Sequence, residues 1–212
     1  AKIISIIDNP GFTTEKMRSL RSITIAGAAI TNAQLAKLRN ALPQVHFTPA
    51  YGLTEISPVS AVLYDDEPDH ILYTVGKPVE DVEVQIRDIA TGSVLPPGEK
   101  GEIYIKSKRT LVCYYKMPLN DQAMSGDGWI RTGDEGMLDD DGYLRITGRI
   151  KDIIIRGGEN ISPNEIADVL TEIDEITDAK VVGVPDERLG ETVAAAICLK
   201  QGRVFDREKT DE

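Results

Sequence analysis

The stretch from Trp129 to Asn160 carries two charged residues suited to binding a polar ligand. Asp134 stands in a Thr-Gly-Asp turn, and Arg149 follows Gly148 at the other end of a short hairpin. A carboxylate can accept hydrogen bonds from a pair of sugar hydroxyls, and a planar guanidinium can bind phosphate or carboxylate oxygens. The pattern therefore predicts a site for a phosphate-bearing ligand. The alternative is an exposed acidic hairpin followed by a strand, which we favour for the run 139–141 taken alone.

The charge of the chain limits the ligands that it can bind. The 212 residues include 24 Lys and Arg against 35 Asp and Glu, which gives a formal charge of −11. No basic stripe is present that could displace the counterions of a nucleic acid, so we predict no nucleic-acid partner. Any phosphate site must be local, built from a few basic side chains and backbone N–H groups.

Cysteine content and hydropathy indicate a protein of a reducing compartment. Cys113 and Cys198 lie far apart and lack metal-ligand spacing, so we predict no structural zinc and a cytoplasmic location. No apolar run approaches the length of a membrane span, and no signal-like start is present. The chain begins in an apolar stretch and ends in a charged tail, and we expect it to be part of a longer protein.

Residues 1–74 have the order of elements typical of an α/β fold. The predicted elements are a helix over Phe12–Leu20, a strand over Ser22–Ala26, a helix from Thr31 or Asn32 with Leu35, Leu38 and Leu42 on one face, and a strand over Val45–Phe47. This order predicts parallel strands with a covering helix. The loops 27–29 and 51–55 follow the two strands, and ligands of open α/β sheets bind beyond such strand ends.

The remainder of the chain predicts two further parts. Residues 75–150 alternate in short segments separated by turn signals, which predicts an antiparallel, β-barrel-like part. Residues 151–212 predict the start of an α+β domain. There a strand and a Gly-Gly loop lead into a helix, with Ser162 as its N-cap and Pro163 at its first position.

Four motifs in this order resemble the adenylate-forming enzymes. They are Tyr-Gly-Leu-Thr-Glu (51–55), Arg-Thr-Gly-Asp (131–134), Gly-Arg-Ile-Lys-Asp (148–152) and Gly-Gly-Glu-Asn (157–160). The motifs and their spacing are most similar to those of the AMP-forming acid–CoA ligases, and the resemblance covers essentially the whole chain. It implies residues 1–150 to be the end of a large AMP-binding domain and residues 151–212 to be the start of a small mobile one.

The resemblance implies roles for the first motif and the loop before it. Tyr51, with Gly52 beside it, would pack on adenine, Thr54 would contact the α-phosphate, and Glu55 would help to hold Mg²⁺. A solvated loop carboxylate is the alternative for Glu55. The loop of Gly27, Ala28 and Ala29 resembles the small-residue loop against adenine, and a simple strand-to-helix turn remains an equal alternative.

The later motifs would supply the ribose, phosphate and CoA contacts. Asp134 resembles the carboxylate that binds the ribose hydroxyls, and Arg149 resembles the arginine that reaches ribose and phosphate. A surface salt bridge is the alternative for Arg149. Lys151 falls at the hinge position of the family. Gly157 and Gly158 resemble the loop that approaches the pantetheine arm of CoA, with a helix-entry turn as the alternative.

The implied activity has two half-reactions. A carboxylic acid and ATP would give acyl-AMP, and CoA would then displace AMP, as in fatty acid metabolism. The family's phosphate loop is expected upstream of Ala1 and its catalytic lysine beyond Glu212, so we expect this chain alone to be inactive. Two alternatives remain open: an adenylation domain that loads a carrier protein, and a non-catalytic nucleotide-binding relative.

Overall fold

The computed structural model describes most of the chain, and the described part divides into two compact units. The described residues are 2–27, 30, 32–62, 74–111, 113–114, 117–118, 127–173, 175–200 and 202. The units are Ala1–Ile150 and Lys151–Glu212, and each is treated by itself below. The division of the first unit into parts before and after residue 74 stays a prediction.

The first sheet contains the predicted parallel β–α–β unit. Its elements, in chain order, are α1 (Lys2–Ile7), β1 (Ser22–Ile25), α2 (Asn32–Ala41), β2 (His46–Leu53), β3 (Ile56–Ala61) and β4 (Lys77–Pro78). Strands β1 and β2 pair in parallel, with Ser22 opposite His46, and the remaining pairs are antiparallel. Leu35, Leu38 and Leu42 are buried on α2, which confirms the helical face read from the sequence.

The helix predicted over Phe12–Leu20 is wrong. The structure has only a short 3-10 helix, Thr14–Met17. The apolar residues Phe12, Met17 and Leu20 pack against the core around α2, but their spacings of five and three do not make a continuous helical stripe. Packing therefore holds this segment in place without a regular α-helix.

The Tyr51–Glu55 loop is also shorter than predicted. Strand β2 runs through Tyr51 and Gly52 to Leu53, and only Thr54 and Glu55 connect it to β3. Tyr51 pairs with Ser60 and Leu53 with Ile56, so antiparallel pairing with β3 extends the strand. Tyr51 consequently stands on a strand, where its position is fixed by the sheet.

A second sheet in the first unit has four antiparallel strands. The strands that follow in the chain are β5 (Val82–Arg87), β6 (Gly101–Ser107), β7 (Cys113–Tyr114), β8 (Met117–Pro118), β9 (Ile130–Leu138) and β10 (Leu144–Arg149). The order across the sheet is β10-β9-β6-β5, and β7 and β8 form a separate pair. The described residues contain no closed barrel; the sheet is open. Its apolar face packs with β3, through a cluster that includes Ile56, Val59, Ile103, Ile105 and Leu144.

Gly76 connects the two sheets of the first unit. Leu144 accepts a hydrogen bond from Val75 N–H at 2.8 Å and donates one to the Gly76 carbonyl at 2.9 Å. Gly76 has a φ of +82°, and a Cβ placed on it would lie 1.9 Å from the backbone of Ala61. The chain passes so close to β3 here that only glycine fits.

The second unit is a helix on a four-stranded antiparallel sheet. Its elements are β11 (Ile154–Arg156), β12 (Glu159–Ile161), α3 (Pro163–Glu172), β13 (Ile176–Asp186) and β14 (Gly190–Leu199). The sheet order is β12-β11-β14-β13, and α3 packs on β13. With the first unit, this confirms the predicted fold class of an α/β part followed by an α+β part. Within the described residues, no helix is long and apolar enough to cross a membrane.

The N-cap of α3 is the one predicted from the sequence. Ser162 has an extended backbone, its Oγ accepts a hydrogen bond from Glu165 N–H at 3.4 Å, and Pro163 opens the helix. Ser162→Ala removes this acceptor, so we expect the free energy of unfolding of the second unit to fall by about 1 kcal/mol. Urea unfolding checks the loss, and Ser162→Asp, which keeps an acceptor oxygen, should retain most of the stability. Equal losses in the two variants would contradict a capping role.

Candidate nucleotide site

Three side chains from two sheets meet at Asp134. The Tyr51 hydroxyl donates a hydrogen bond to Asp134 Oδ2 at 2.6 Å, and Arg149 Nε lies 2.9 Å from Oδ1. Asp134 is 4% exposed, whereas the Arg149 side chain is 57% exposed. The carboxylate is thus fixed by a donor on each oxygen, while the arginine remains open to solvent. Tyr51, Asp134 and Arg149, which belong to three separate sequence motifs, form one cluster.

A β-bulge in β10 places Arg149 opposite Asp134. Ile146 pairs with Gly136, but Gly148 pairs with Glu135 and Arg149 with Asp134, so Thr147 is one residue extra on this strand. The Thr147 hydroxyl donates to Glu135 Oε2 at 2.6 Å. Side chains alternate faces along a strand, so a one-residue shift decides which residue meets Asp134. Without the bulge, Gly148 would stand there.

The Thr-Gly-Asp segment is itself a bulge within β9. Against β6, Arg131 pairs with Tyr104 and Glu135 with Glu102, so three residues of β9 face the single residue Ile103. Gly133 has a φ of +69°, a conformation that glycine adopts without strain. The Thr132 hydroxyl donates to the Ile103 carbonyl at 2.8 Å and accepts from Asp134 N–H at 3.0 Å. The predicted turn is therefore a bulge within β9, and Asp134 is its last residue.

The environment of Tyr51 keeps its phenol protonated. Burial raises the pKa of Tyr51 above its ordinary value of 10.0, and the negative charge of Asp134 raises it further. The neutral hydroxyl is the form that can donate to the carboxylate. Because the folded-state pKa exceeds the unfolded one, this group stabilises the fold below pH 10, and the contribution is lost as pH rises beyond that value.

Tyr51→Phe tests the contact with Asp134 while keeping the ring. If the full-length protein uses ATP, as the resemblance implies, we expect its KM for ATP to rise about tenfold, because a hydrogen bond to a charged group contributes about 1.5–3 kcal/mol. The loss of unfolding free energy above pH 10 should also be smaller than in the wild type. Steady-state kinetics and urea unfolding at several pH values measure both effects. Tyr143→Phe, at a buried tyrosine of the β9–β10 connection, is the control and should leave the KM for ATP unchanged.

Thr54 and Glu55 form the connection between β2 and β3. Thr54 is exposed, Glu55 is half-buried, and the Glu55 carbonyl accepts from Leu111 N–H at 2.8 Å. The described part of the chain holds no cluster of three or more His, Cys, Asp or Glu that could bind a metal. Mg²⁺ is commonly held by one or two carboxylates together with substrate phosphates and water. A single carboxylate beside a hydroxyl fits that mode of binding.

The loop after β1 is described only at its first residue. Gly27 is exposed and has a φ of +81°, while Ala28 and Ala29 lie outside the described residues. Ile25 pairs with Pro49 in the parallel register, so Gly27 and Tyr51 follow these paired residues by two positions each. The adenine-side role of this loop stays a prediction.

In the second unit, the paired glycines form a hairpin turn. Arg156 pairs with Glu159, and Gly157 and Gly158 between them have φ values of +60° and +90°. Two consecutive positive φ values are typical of a tight hairpin connection. The expectation that this loop leads directly into the helix is wrong, because β12 intervenes. Lys151 is exposed in a 3-10 helix, Ile150–Asp152, and its hinge role stays a prediction, as does the pantetheine role of the glycines.

A buried carboxylate that contacts the bulge carrying Asp134 was not predicted from the sequence. Glu102 is 3% exposed and accepts hydrogen bonds from the side chain of Arg131 and from Gly133 N–H. Hydrogen bonding to Glu102 also raises the pKa of Arg131. The available signal was a charged residue inside the apolar segment Gly101–Ile105, which predicts a buried carboxylate that needs a partner.

The chain belongs to the AMP-binding enzyme family. Residues 3–115 match that family, and residues 165–212 match the AMP-binding enzyme C-terminal domain. This confirms the resemblance to adenylate-forming enzymes drawn from the four motifs.

Its relatives include acyl-CoA ligases. The chain is 34% identical over 208 residues to the mitochondrial medium-chain acyl-CoA ligase ACSF2 of Mus musculus, covering 97% of this chain and 34% of the relative. It is 36% identical over 202 residues to the putative acyl-CoA synthetase YngI of Bacillus subtilis (strain 168), and the match covers 94% of this chain and 37% of the relative. The chain therefore spans about a third of the length of these relatives.

Solved structures show the same fold. ATP-bound MatB from Rhodopseudomonas palustris matches with a TM-score of 0.86 and 28% identity, over 95% of this chain and 40% of that one. The amide bond synthetase McbA from Marinactinospora thermotolerans matches with a TM-score of 0.84 and 35% identity, over 98% of this chain and 42% of that one.

Proposed function

We propose that this chain is part of an AMP-forming acid–CoA ligase, in which it supplies the ribose and phosphate contacts of the nucleotide site. The observation that carries the proposal is the Asp134 carboxylate, with Tyr51 on one oxygen and Arg149 on the other. The acyl-CoA ligases among its relatives support the same reaction class. A carrier-loading adenylation domain and a non-catalytic relative are less favoured.

The Asp134 cluster has the groups that a bound adenosine phosphate requires. Each carboxylate oxygen has two lone-pair directions, so each can accept a ribose hydroxyl in addition to its protein donor. The Tyr51 ring lies in the same cluster, where an adenine can pack against it. Arg149 uses Nε for Asp134 and keeps more than half of its side chain exposed, so its terminal N–H groups can bind phosphate oxygens.

We further propose that Thr54 and Glu55 act on the phosphate side. The Thr54 hydroxyl would donate to an α-phosphate oxygen, and Glu55 would hold Mg²⁺ together with phosphate oxygens and water. The metal would supply neutralisation of phosphate charge when bound. The chain's own groups orient the nucleotide: Asp134 through ribose, and Arg149 and Thr54 through phosphate.

The proposed reaction has two steps, adenylation of the acid and transfer of the acyl group to CoA. An oxygen of the substrate carboxylate attacks the α-phosphorus of ATP, the bond to the β-phosphate oxygen breaks, and acyl-AMP and pyrophosphate result. The CoA sulfur then attacks the acyl carbon, its proton passes to solvent, and the bond from the acyl carbon to the phosphate oxygen breaks, which releases AMP. Arg149 offsets phosphate charge in the first step. For the second step, we propose Lys151 as the hinge residue and the Gly157-Gly158 turn as the backbone beside pantetheine.

The test measures products of the full-length protein with a panel of aliphatic and aromatic acids. We expect AMP release that requires ATP, one class of acid and free CoA. Acid-dependent pyrophosphate exchange that is indifferent to CoA would instead establish a carrier-loading domain. Binding of an acyl-AMP mimic without exchange for any acid would establish a non-catalytic relative and overturn the proposal.

We also propose a cytoplasmic enzyme of fatty acid metabolism. The names of the medium-chain ligase and the bacterial synthetase support this substrate class, and both cysteines are exposed and free of disulfides. The medium-chain relative is mitochondrial by name, so fractionation of the source cells decides the location.

A further inference from the structure

We propose that Glu102 is a positioning residue for Asp134, which it serves by clamping the bulge Thr132–Asp134 from inside the sheet. The functional consequence, tighter binding of ATP, rests on the proposed function; the structural consequence does not. Glu102 does not touch Asp134 in any described contact. Its effect passes through Arg131 and the backbone of Gly133.

The contacts of Glu102 hold the bulge at its beginning and at its middle residue. Its Oε2 accepts from Arg131 Nη2 at 2.8 Å and from Nε at 3.2 Å, just before the bulge. Its Oε1 accepts from Gly133 N–H at 3.3 Å, inside the bulge. Asp134 is the next residue, so both contacts restrain the backbone that carries it.

The burial of Glu102 indicates that the clamp has a purpose beyond stability. Removing a carboxylate from water costs several kcal/mol, and a well-packed apolar side chain is often as stable as a buried ion pair. Glu102 has two cross-strand partners, the carboxylate of Glu135 on β9 and the cation of Arg87 on β5, whose charges act on it in opposite directions. Among the described hydrogen bonds, the donors that offset its burial are Arg131 and the Gly133 N–H. The bulge lacks regular ladder hydrogen bonds at this point, and Glu102 supplies an acceptor in their place.

Arg131 is held on its other side by an aromatic ring. It pairs across the strands with Tyr104, and its guanidinium carbon lies 6.0 Å from the centre of that buried ring. A guanidinium near an aromatic ring is attracted to it and loses freedom of movement. Arg131, although 48% exposed, therefore has a defined place from which to anchor Glu102.

Glu102→Gln in the full-length protein tests the clamp. A carboxylate offers acceptors on both oxygens, whereas a carboxamide offers one oxygen and a donor NH₂. Arg131 and Gly133 N–H are both donors, so glutamine leaves one of them facing a donor. We expect about tenfold faster hydrogen exchange in the peptide 130–138 and about a tenfold higher KM for ATP. The KM for the acid and kcat should change less than about twofold.

Two further variants separate positioning from general destabilisation. Asp88→Asn makes the same change of charge in the turn after β5, where Asp88 accepts from Thr91 N–H at 2.7 Å, and should leave exchange in 130–138 and the KM for ATP unchanged. Glu102→Asp retains two acceptor oxygens and should recover part of the ATP affinity. Urea unfolding of every variant reports global stability.

The outcomes distinguish this inference from the proposed function. A lower urea midpoint in Glu102→Gln, with exchange in 130–138 and the KM for ATP both as in the wild type, would show a purely structural residue and overturn the inference. Faster exchange in a protein whose wild type forms no AMP with any acid would support the clamp and overturn the proposed function instead.

Discussion

If the proposed function holds, Asp134→Asn in the full-length protein should lower kcat/KM for ATP by about a hundredfold or more. The asparagine side chain offers one acceptor oxygen, but Tyr51 and Arg149 both donate to this position, and the ribose hydroxyls are also expected to donate there. One protein donor then faces an NH₂ group, and at least one ribose contact is lost. Hydrogen bonds to a charged group contribute about 1.5–3 kcal/mol each, so the loss of one or two accounts for the expected size. Initial rates at varied ATP measure it.

Asp140→Asn is the matched control for that experiment. Asp140 is exposed in the connection between β9 and β10, six residues from Asp134, and carries the same change of charge. We expect kcat/KM for ATP to remain within about twofold of wild type. Equal losses in the two variants would mean that net charge, and not the carboxylate at the cluster, governs ATP use.

Gly76→Ala should lower the free energy of unfolding by about 3 kcal/mol or more. The new Cβ would lie 1.9 Å from the carbonyl of Ala61 and 2.2 Å from Val62 N, whose N–H donates to the Pro49 carbonyl at 3.0 Å. Both neighbours are backbone, so relief requires the end of β3 to move from β2. The positive φ of +82° adds about 1 kcal/mol for alanine.

Gly142→Ala separates the clash from the backbone preference. Gly142 has the same φ of +82°, but a Cβ there meets nothing within 4 Å. We expect Gly142→Ala to lower the free energy of unfolding by only about 1 kcal/mol, which is the effect of the φ preference without a clash. Urea midpoints of the full-length protein compare the two variants. If Gly76→Ala is insoluble while Gly142→Ala is soluble, that result also indicates a larger loss of stability at Gly76. Similar midpoints would refute close packing at Gly76.

The candidate site could be predicted residue by residue, but its assembly could not. Asp134 and Arg149 were recognisable because their motifs have characteristic neighbours. Their direct contact depends on Thr147 being an extra residue in β10; Gly148 is a residue type found at bulges, but it does not indicate which residue is left unpaired. The contact of Tyr51 with Asp134 joins positions 83 residues apart, which local patterns do not encode.

The fold was predictable where periodicity was strong and failed where tertiary contacts set the element. Leu35, Leu38 and Leu42 recur at helical spacing, and α2 follows them. Phe12–Leu20 has apolar residues without that spacing, and packing against the core left it mostly irregular. Strand β2 extends through Tyr51 because it pairs with β3. The sequence did not predict this pairing, because Thr54–Glu55 is a short connection without a typical turn residue.

Changes of length within the β9–β10 hairpin have unequal consequences. At the connection, Asp139 and Tyr143 close the hairpin through the Asp139 N–H, so residues gained or lost beyond this pair alter an exposed tip. Between Ile146 and Arg149, one added residue that pairs with β9 brings Gly148 opposite Asp134, whereas loss of Thr147 removes the bulge and keeps Arg149 opposite Asp134. Chimeras between members of this family should therefore have their crossover in the tip. A sequence alignment with a gap at Thr147 describes a protein that places the arginine opposite the carboxylate without a bulge.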